Sequence, residues 1–322
     1  MQSRGQFMIQ LINNINDLEA IKEPLHLALG VFDGLHIGHQ KVIGTAVDAA
    51  KNQGGLAGIL TFEPHPIRIL APELAPRRIL ASLNHKRELL SELGVDVMVV
   101  VDFNKEFADC EAEVFLQSLI SACYDLKTLS IGEDWKFGKK RRGDINMLRE
   151  VGDSHGITIN SSKAVMLDGE RVSSTRIRQA IRDGNMAAAQ AMIGRQYTVL
   201  GEVIKGRQLG RQLGFPTANL RVFNEQLPAD GVWCVSATLA NGKIINGVGN
   251  LGVRPTVEGA EAKRMLEVHL LDFEQDIYGE TMEVKFLQYI RSEQKFSSIE
   301  DLSRQIQRDV ESCRAFHAAH QE

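Results

Sequence analysis

Two stretches of this sequence hold residue types that can handle phosphate. The first, Gly30-Val31-Phe32-Asp33-Gly34-Leu35-His36-Ile37-Gly38-His39, puts two histidines three residues apart behind the apolar run Leu27 to Phe32. That run reads as a buried strand, Gly34 permits a tight turn, and the histidines fall at the mouth of a following helix. Unpaired N–H groups and the positive end of the macrodipole favour phosphate there, and imidazole donors strengthen as charge builds on a transferring phosphoryl group. A turn with two surface histidines and a zinc site are the competing readings. No neighbouring cysteine or carboxylate pattern completes a zinc ligand set.

The second stretch, Gly206 to Leu220, spaces Gly206, Gly210 and Gly214 among Arg207 and Arg211 and ends Gly214-Phe215-Pro216-Thr217-Ala218-Asn219. Thr217 and Asn219 lie two apart, so on extended chain both side chains face one way, suited to a Mg²⁺ and phosphate cluster. Glycines also mark strand bends, so a plain barrel corner competes. Two phosphate sites imply two reactions on one polypeptide.

Three further segments sit at expected strand ends or helix starts. Thr61-Phe62-Glu63-Pro64-His65-Pro66 follows a strand, and its prolines force an extended loop. Gly132-Glu133-Asp134-Trp135-Lys136-Phe137-Gly138 ends another strand and leads into Lys139, Lys140, Arg141 and Arg142, a run that by itself reads as a solvated face before a ligand clamp. Ser173-Ser174-Thr175-Arg176-Ile177-Arg178 opens a helix, bringing hydroxyls, orphan amides and cations together, although such a segment also serves as a plain cap.

The elements that must position these residues follow two grammars. From residue 25 to about 185, apolar runs (Leu25 to Phe32, Leu56 to Phe62, Val95 to Phe103, Leu126 to Gly132, Ile157 to Asn160) alternate with helical patterns (His39 to Lys51, Asn84 to Leu93, Glu111 to Cys123). Alternation predicts a doubly wound parallel α/β sheet of Rossmann-like type, with ligands at a switch point where the His36/His39 turn lies. After Gly194 come short β-prone runs: Tyr197 to Ile204, Gly231 to Leu239, Ile244 to Gly247, Arg264 to Leu271 and Thr281 to Ile290. With the hairpin signal Asn241-Gly242, they predict an antiparallel β-barrel or sandwich. A closing helix from Ser297, capped with Glu300, is expected to bury Ile299, Leu302, Ile306, Val310 and Cys313. The alanine-rich stretch Met186 to Met192 is the expected joint, giving domains 1–185 and 186–322.

With 322 residues, two cores are the natural expectation. A net charge of -4 leaves no global electrostatic footprint for nucleic acid or anionic membrane, so any polyanion bound is small. Cys110, Cys123, Cys234 and Cys313 show no close pairing and read as reduced thiols. The start of the chain lacks a leader pattern, and no segment has the ~20 apolar residues that span a bilayer. A cytoplasmic protein is expected, with neither nucleic-acid nor membrane partner and its oligomeric state open.

Taken together, the first-half segments resemble the adenylyltransferase module of bacterial bifunctional riboflavin kinase/FAD synthetases, part of a nucleotidyltransferase group with a His-x-Gly-His turn and a Ser-Ser-Thr-x-Ile-Arg segment. The second half resembles the riboflavin kinase module in Pro216-Thr217-Ala218-Asn219, Gly247 to Thr256, Glu267 to Phe273 and Asp276-Ile277-Tyr278-Gly279. The resemblance implies that His36 and His39 contact ATP phosphates in a turn with Gly30, Phe32, Asp33 and Gly34. Ser174, Thr175 and Arg178 hold the phosphates from the other side, and Asp134 helps shape the nucleotide and flavin pocket. For the kinase it implies an ATP and flavin site of Gly206, Arg211, Gly214, Pro216, Thr217, Asn219, Asn250 and Arg254, with Thr217 and Asn219 as Mg²⁺ contacts and Glu267 as catalytic base.

The chemistry implied is riboflavin plus ATP to FMN, then FMN plus ATP to FAD. FMN's phosphate is already an anion near pH 7, so adenylyl transfer needs orientation and charge stabilisation rather than a strong base. Riboflavin's 5′-hydroxyl is neutral and must lose a proton as it attacks, which a carboxylate within reach answers. From the residues alone, Glu267 reads as an outward strand residue in the alternation Glu267, His269, Leu271 rather than as a base. A chain with one working module and a flavin-sensing or RNA-binding regulator are the rival readings.

Overall fold

The computed structural model describes residues 9–73, 79–206, 210, 213–223, 226–254 and 263–320. In the first half, β1 (Gln10–Ile12), β2 (Leu25–Leu29), β3 (Leu56–Glu63), β4 (Val97–Asp102), β5 (Leu126–Gly132) and β6 (Thr158–Ser162) form one sheet in the order β1-β4-β3-β2-β5-β6. Every pairing is parallel. The strands are apolar runs because a parallel sheet is covered on both faces, and every residue of β2 is buried. From β2 the chain winds outward through β3 to β4, then returns to lay β5 and β6 on the other side. The carboxyl end of β2 is therefore the switch point, as expected for the histidine turn.

Of the helices, α1 (Ile37–Gln53) buries Val42, Ile43, Ala46, Val47 and Ala50. It is followed by α2 (Ile67–Leu70), α3 (Leu83–Glu92), α4 (Lys105–Ala108), α5 (Ala112–Ala122) and α6 (Ile145–His155). Apolar periodicity does not single out β1 or α6. β1 is a short edge strand, whereas α6 is marked by its ends: Asp144 accepts from the N–H groups of Asn146 and Met147, and Gly156 closes it in the left-handed conformation. A small hairpin of β7 (Met166–Leu167) and β8 (Glu170–Arg171) precedes α7 (Ser174–Arg182) and α8 (Met186–Ile193), the latter formed by the alanine-rich stretch. By internal contacts the chain divides into Met1–Ile79 with Leu83–Ser174, and Leu80–Ser82 with Thr175–Glu322.

The second unit is a closed barrel, not a sandwich. β9 (Thr198–Ile204), β10 (Ala218–Val222), β11 (Gly231–Leu239), β12 (Ile244–Arg254), β13 (Lys263–Leu270) and β14 (Thr281–Arg291) close in the order β10-β13-β12-β11-β14-β9, all antiparallel. Asn241-Gly242 makes the expected hairpin, with Gly242 at φ 81°. β12 runs well past Gly247, where the apolar pattern stops. Gly247 faces inward, and a Cβ there would lie 2.8 Å from the His269 carbonyl, so close approach of strands replaces a side chain.

Leu220, Leu251, Leu266, Val268 and Val284 fill the interior, while Val232, Cys234 and Val248 face outward beneath α9 (Ile299–Ala319) through Val310 and Cys313. The cap of α9 corrects the sequence expectation by one residue. Ser298, not Ser297, accepts from the Asp301 N–H, and Asp301 takes the hydroxyls of both serines. Ile299 thus becomes the first helical residue and is 60% exposed, because its side chain leans toward the N-terminus where no turn precedes it. Leu302 and Ile306 are half-buried, and Val310 and Cys313 are buried as expected.

Candidate active sites

At the switch point, the chain leaves β2 through a turn in which Phe32, Gly34 and Leu35 have φ of 51°, 79° and 47°. Two of these are non-glycine residues in the left-handed region, so surrounding contacts must hold them. Ser174 Oγ donates to the Asp33 carbonyl at 2.9 Å, and the Gln40 side chain donates to the Leu35 carbonyl at 2.7 Å. Gly30 is packed close: a Cβ there would lie 2.9 Å from the Phe32 ring. Phe32 and Asp33 are buried.

His36 is the N-cap of α1, and its Nδ1 accepts the His39 N–H at 3.2 Å. The two imidazoles stack with centroids 3.5 Å apart, and the Phe32 ring meets His39 edge-on at 5.4 Å. Burial, then the Arg171 charge, pushes His36 down to about 4 against a weaker pull from Asp33. His39 is held well below the usual histidine range by burial, then by His36, Lys86 and Arg171. Both rings are therefore neutral at pH 7. With Nδ1 accepting, the proton of His36 sits on Nε2, which makes that nitrogen a donor.

A pH dependence follows. A histidine near 6.5 unfolded and about 4 folded binds fewer protons in the native state, so stability is full above 6.5 and falls as pH drops toward 4. The difference is worth about 3 kcal/mol. Hydrogen exchange of β2 and β3 amides is expected to show the loss between pH 7 and pH 5, and His36→Asn, which keeps a capping acceptor, to lessen it.

Asp134 lies just beyond β5 and makes a two-pronged ion pair with Arg171 of β8, at 2.5 and 3.0 Å. The Arg171 hydrogen bond is the main cause holding the Asp134 carboxyl below its ordinary value. Ser174 ends the first unit, whereas Thr175 and Arg178 continue α7 in the second, with Arg178 buried. Lys139 pairs with Asp109 at 3.3 Å and Arg142 with Glu111 and Glu113 at 3.4 Å, which is the pattern of a solvated, ion-paired face. Among the described residues, no group of three or more histidine, cysteine, aspartate or glutamate side chains is placed to hold a metal.

On the barrel, register aligns three predicted residues. Asn219 of β10 and Asn250 of β12 both pair with Glu267 of β13, so the three form one row across adjacent strands. Directly opposed side chains share a face with Cβ atoms about 5 Å apart. Because Leu266 and Val268 point inward, the row is on the outer surface. The outward reading of Glu267 is thus its geometry as well, and an outward position is where small molecules reach it.

Asn219 is nonetheless buried, since Gly206 lies on its amide: a Cβ at Gly206 would come 2.3 Å from Asn219 Nδ2. A Cβ at Gly210 would lie 3.4 Å from Thr217 Oγ1. Gly206 and Gly210 therefore lie beside the two oxygen-bearing side chains. His269 Nδ1 donates to the Pro216 carbonyl at 2.8 Å, with Phe215 edge-on to its ring, and anchors the segment Gly214 to Thr217. Gly214 takes φ 83°. Arg211 lies outside the described residues, as does the side chain of Arg254 at the end of β12.

The sequence reading missed Arg171, Lys86 and the anchoring role of His269. Arg171 stands shortly before the Ser173-Ser174-Thr175 segment, so proximity was a usable signal. Lys86 carries none, being one cation among the polar residues of an ordinary amphipathic helix.

Residues 18–176 match the family model described as FAD synthetase, and residues 193–317 the one described as riboflavin kinase. The bifunctional riboflavin kinase/FMN adenylyltransferase of Haemophilus influenzae is 39% identical over 308 residues, spanning 96% of this chain and 99% of that protein. That of Escherichia coli K12 is 37% identical over 309 residues, 96% of this chain and 98% of its own. That of Bacillus subtilis is 36% identical over 289 residues, 89% and 90% respectively. A crystal structure described as a macrolide-efflux protein from Streptococcus pneumoniae matches with TM-score 0.79 at 31% identity, covering 95% of this chain and 99% of that one. Among the described residues here, no helix is long and apolar enough to cross a membrane.

Proposed function

The chain belongs to the bifunctional riboflavin kinase/FMN adenylyltransferase family, and on that premise we propose which residues carry each reaction. It phosphorylates riboflavin to FMN and adenylylates FMN to FAD, with ATP as co-substrate in both. The observation that carries the proposal is the pair of neutral, stacked histidines on the N-terminus of α1, at the switch point of the first sheet.

In adenylyl transfer, an oxygen of the FMN phosphate attacks the α-phosphorus of ATP and pyrophosphate leaves. No proton has to be removed from the nucleophile, so the task is to stabilise charge and align the reactants. His36 and His39 serve as neutral donors to the phosphates, beside the orphan N–H groups of α1. Gly30, Phe32, Asp33 and Gly34 shape the turn, and Ser174 fixes it through Asp33. Thr175 and Arg178 continue the same helix and take the phosphate role their segment implies. Asp134 orients Arg171, whose charge acts on both histidines.

In phosphoryl transfer, Glu267 takes the proton of the riboflavin 5′-hydroxyl as its oxygen attacks the γ-phosphorus and ADP leaves. Asn219 and Asn250 flank it across the strands, and Gly206, Gly214, Pro216, Arg211 and Arg254 complete the ATP and flavin site. Mg²⁺ fits this donor set. Thr217 Oγ1 and Asn219 Oδ1 would be its hard oxygen ligands, with Gly206 and Gly210 close beside those two side chains because neither carries a Cβ. When bound with ATP, the ion neutralises phosphate charge. The use of ATP in both reactions supports a cytoplasmic location.

We place the division of labour at residues 185/186. The full chain supplied with riboflavin and Mg-ATP is expected to make FMN and then FAD, resolved by chromatography, and with FMN to make FAD directly. A fragment 186–322 is expected to stop at FMN. A folded fragment without kinase activity would refute this allocation.

A further inference from the structure

Lys86 is the one buried cation of α3, 5% exposed, and the reading above gives it no role. Its Nζ donates to the Val31 carbonyl at 3.0 Å and to Thr61 Oγ1 at 3.4 Å. The Thr61 hydroxyl in turn donates to the same Val31 carbonyl at 2.9 Å. Burying an ammonium is costly unless it is paired and hydrogen-bonded, and here the carboxylates of Asp33 and Glu63 provide the opposing charge. A methionine or leucine would fill the same space without that cost.

The position explains the expense. Val31 opens the left-handed turn, and its carbonyl is the first of three alternate carbonyls held from outside: Val31 by Lys86 and Thr61, Asp33 by Ser174, Leu35 by Gln40. A trans peptide points its N–H opposite to its C=O, so fixing these three carbonyls also fixes the directions of the Phe32, Gly34 and His36 N–H groups. The strained turn that carries the histidines is thereby determined from four elements, α3, β3, α7 and α1.

We propose that Lys86 is a positioning residue for adenylyl transfer, holding the Val31–His36 turn in its phosphate-ready shape and keeping a positive charge behind the histidine pair. This rests on the allocation of adenylyl transfer to His36 and His39. The charged groups acting on the pair are Arg171, Asp33 and Lys86, with Glu63 acting on Lys86. Loss of the Lys86 charge therefore shifts His39 toward protonation.

The test uses the full chain with Lys86→Met, and riboflavin phosphorylation in the second unit as an internal control. Turnover of FMN to FAD is expected to fall about 10²-fold, the scale of a small misplacement of reacting groups, with the KM for ATP changing far less. FMN formation should be unchanged. The His39 NMR resonance should titrate at higher pH than in the parent, which a purely structural role for Lys86 would not produce. FAD formation within twofold of the parent, or a drop with unmoved His39 titration, overturns the proposal. If Lys86→Met does not fold, Thr61→Val decides. It removes one of the two groups on Val31 and should cut FAD turnover at least fivefold with β2 and β3 hydrogen exchange preserved; near-parental turnover overturns the proposal. His39→Ala in the same assay separates the two levels: retained FAD formation there defeats the site allocation itself, whereas its loss alongside an active Lys86→Met defeats only the role of Lys86.

Discussion

Glu267→Gln is expected to lower FMN formation from riboflavin by roughly 10² to 10⁴, the usual contribution of general base catalysis. The substitution nearly preserves shape and hydrogen bonding but cannot accept the hydroxyl proton at neutral pH. Since Glu267 stands in register with Asn219 and Asn250 on the outer face of the barrel, its change does not disturb the inward layer of Leu266 and Val268. Binding of riboflavin and ATP should survive. Conversion of supplied FMN to FAD should continue, because that acceptor is already ionised and reacts elsewhere. Kinase turnover near the parental value at saturating riboflavin and Mg-ATP would leave Glu267 a positioning residue.

His36→Ala and His39→Ala are each expected to lower FAD formation by about 10² to 10³, some 3 to 4 kcal/mol in the barrier, while sparing FMN formation. Part of the His36 effect is structural, because its Nδ1 caps α1 through the His39 N–H, and losing a cap costs about 1 kcal/mol. His36→Asn separates the contributions. Asparagine accepts the same N–H but does not place a donor where Nε2 stands, so stability should return while FAD formation stays low. Recovery of both in the asparagine variant would make His36 a cap alone. Equal loss of FAD and FMN formation in a folded His39→Ala protein would sink the assignment of that residue to one reaction.

Local chemistry determined much of this protein from the sequence alone. Runs such as Leu25 to Leu29 and Val97 to Val101 leave little choice but burial on both faces, and their alternation with amphipathic segments dictates a parallel sheet with its switch point after β2. Asn241-Gly242 names its hairpin because Gly242 tolerates the left-handed angle the turn requires. The His-x-Gly-His turn and the Pro-Thr-Ala-Asn run carry the resemblance from which the two activities are expected, and the family comparisons bear out those activities.

Tertiary structure decided what depends on partners distant in sequence. β12 runs through Gly247 and Gly249, which carry no apolar signal, because the His269 carbonyl and the Val235 side chain already stand where their side chains would go. The cap of α9 falls on Ser298 rather than Ser297, a choice between adjacent serines that the pattern along the chain does not resolve. Glu267 joined Asn219 and Asn250 through strand register, which no single segment encodes. The neutrality of His36 and the clamp of Lys86 on Val31 arise from burial and from charges contributed by separate elements. A pattern read along the chain reports what each residue prefers, whereas the field at a buried imidazole is set by whatever the fold brings beside it.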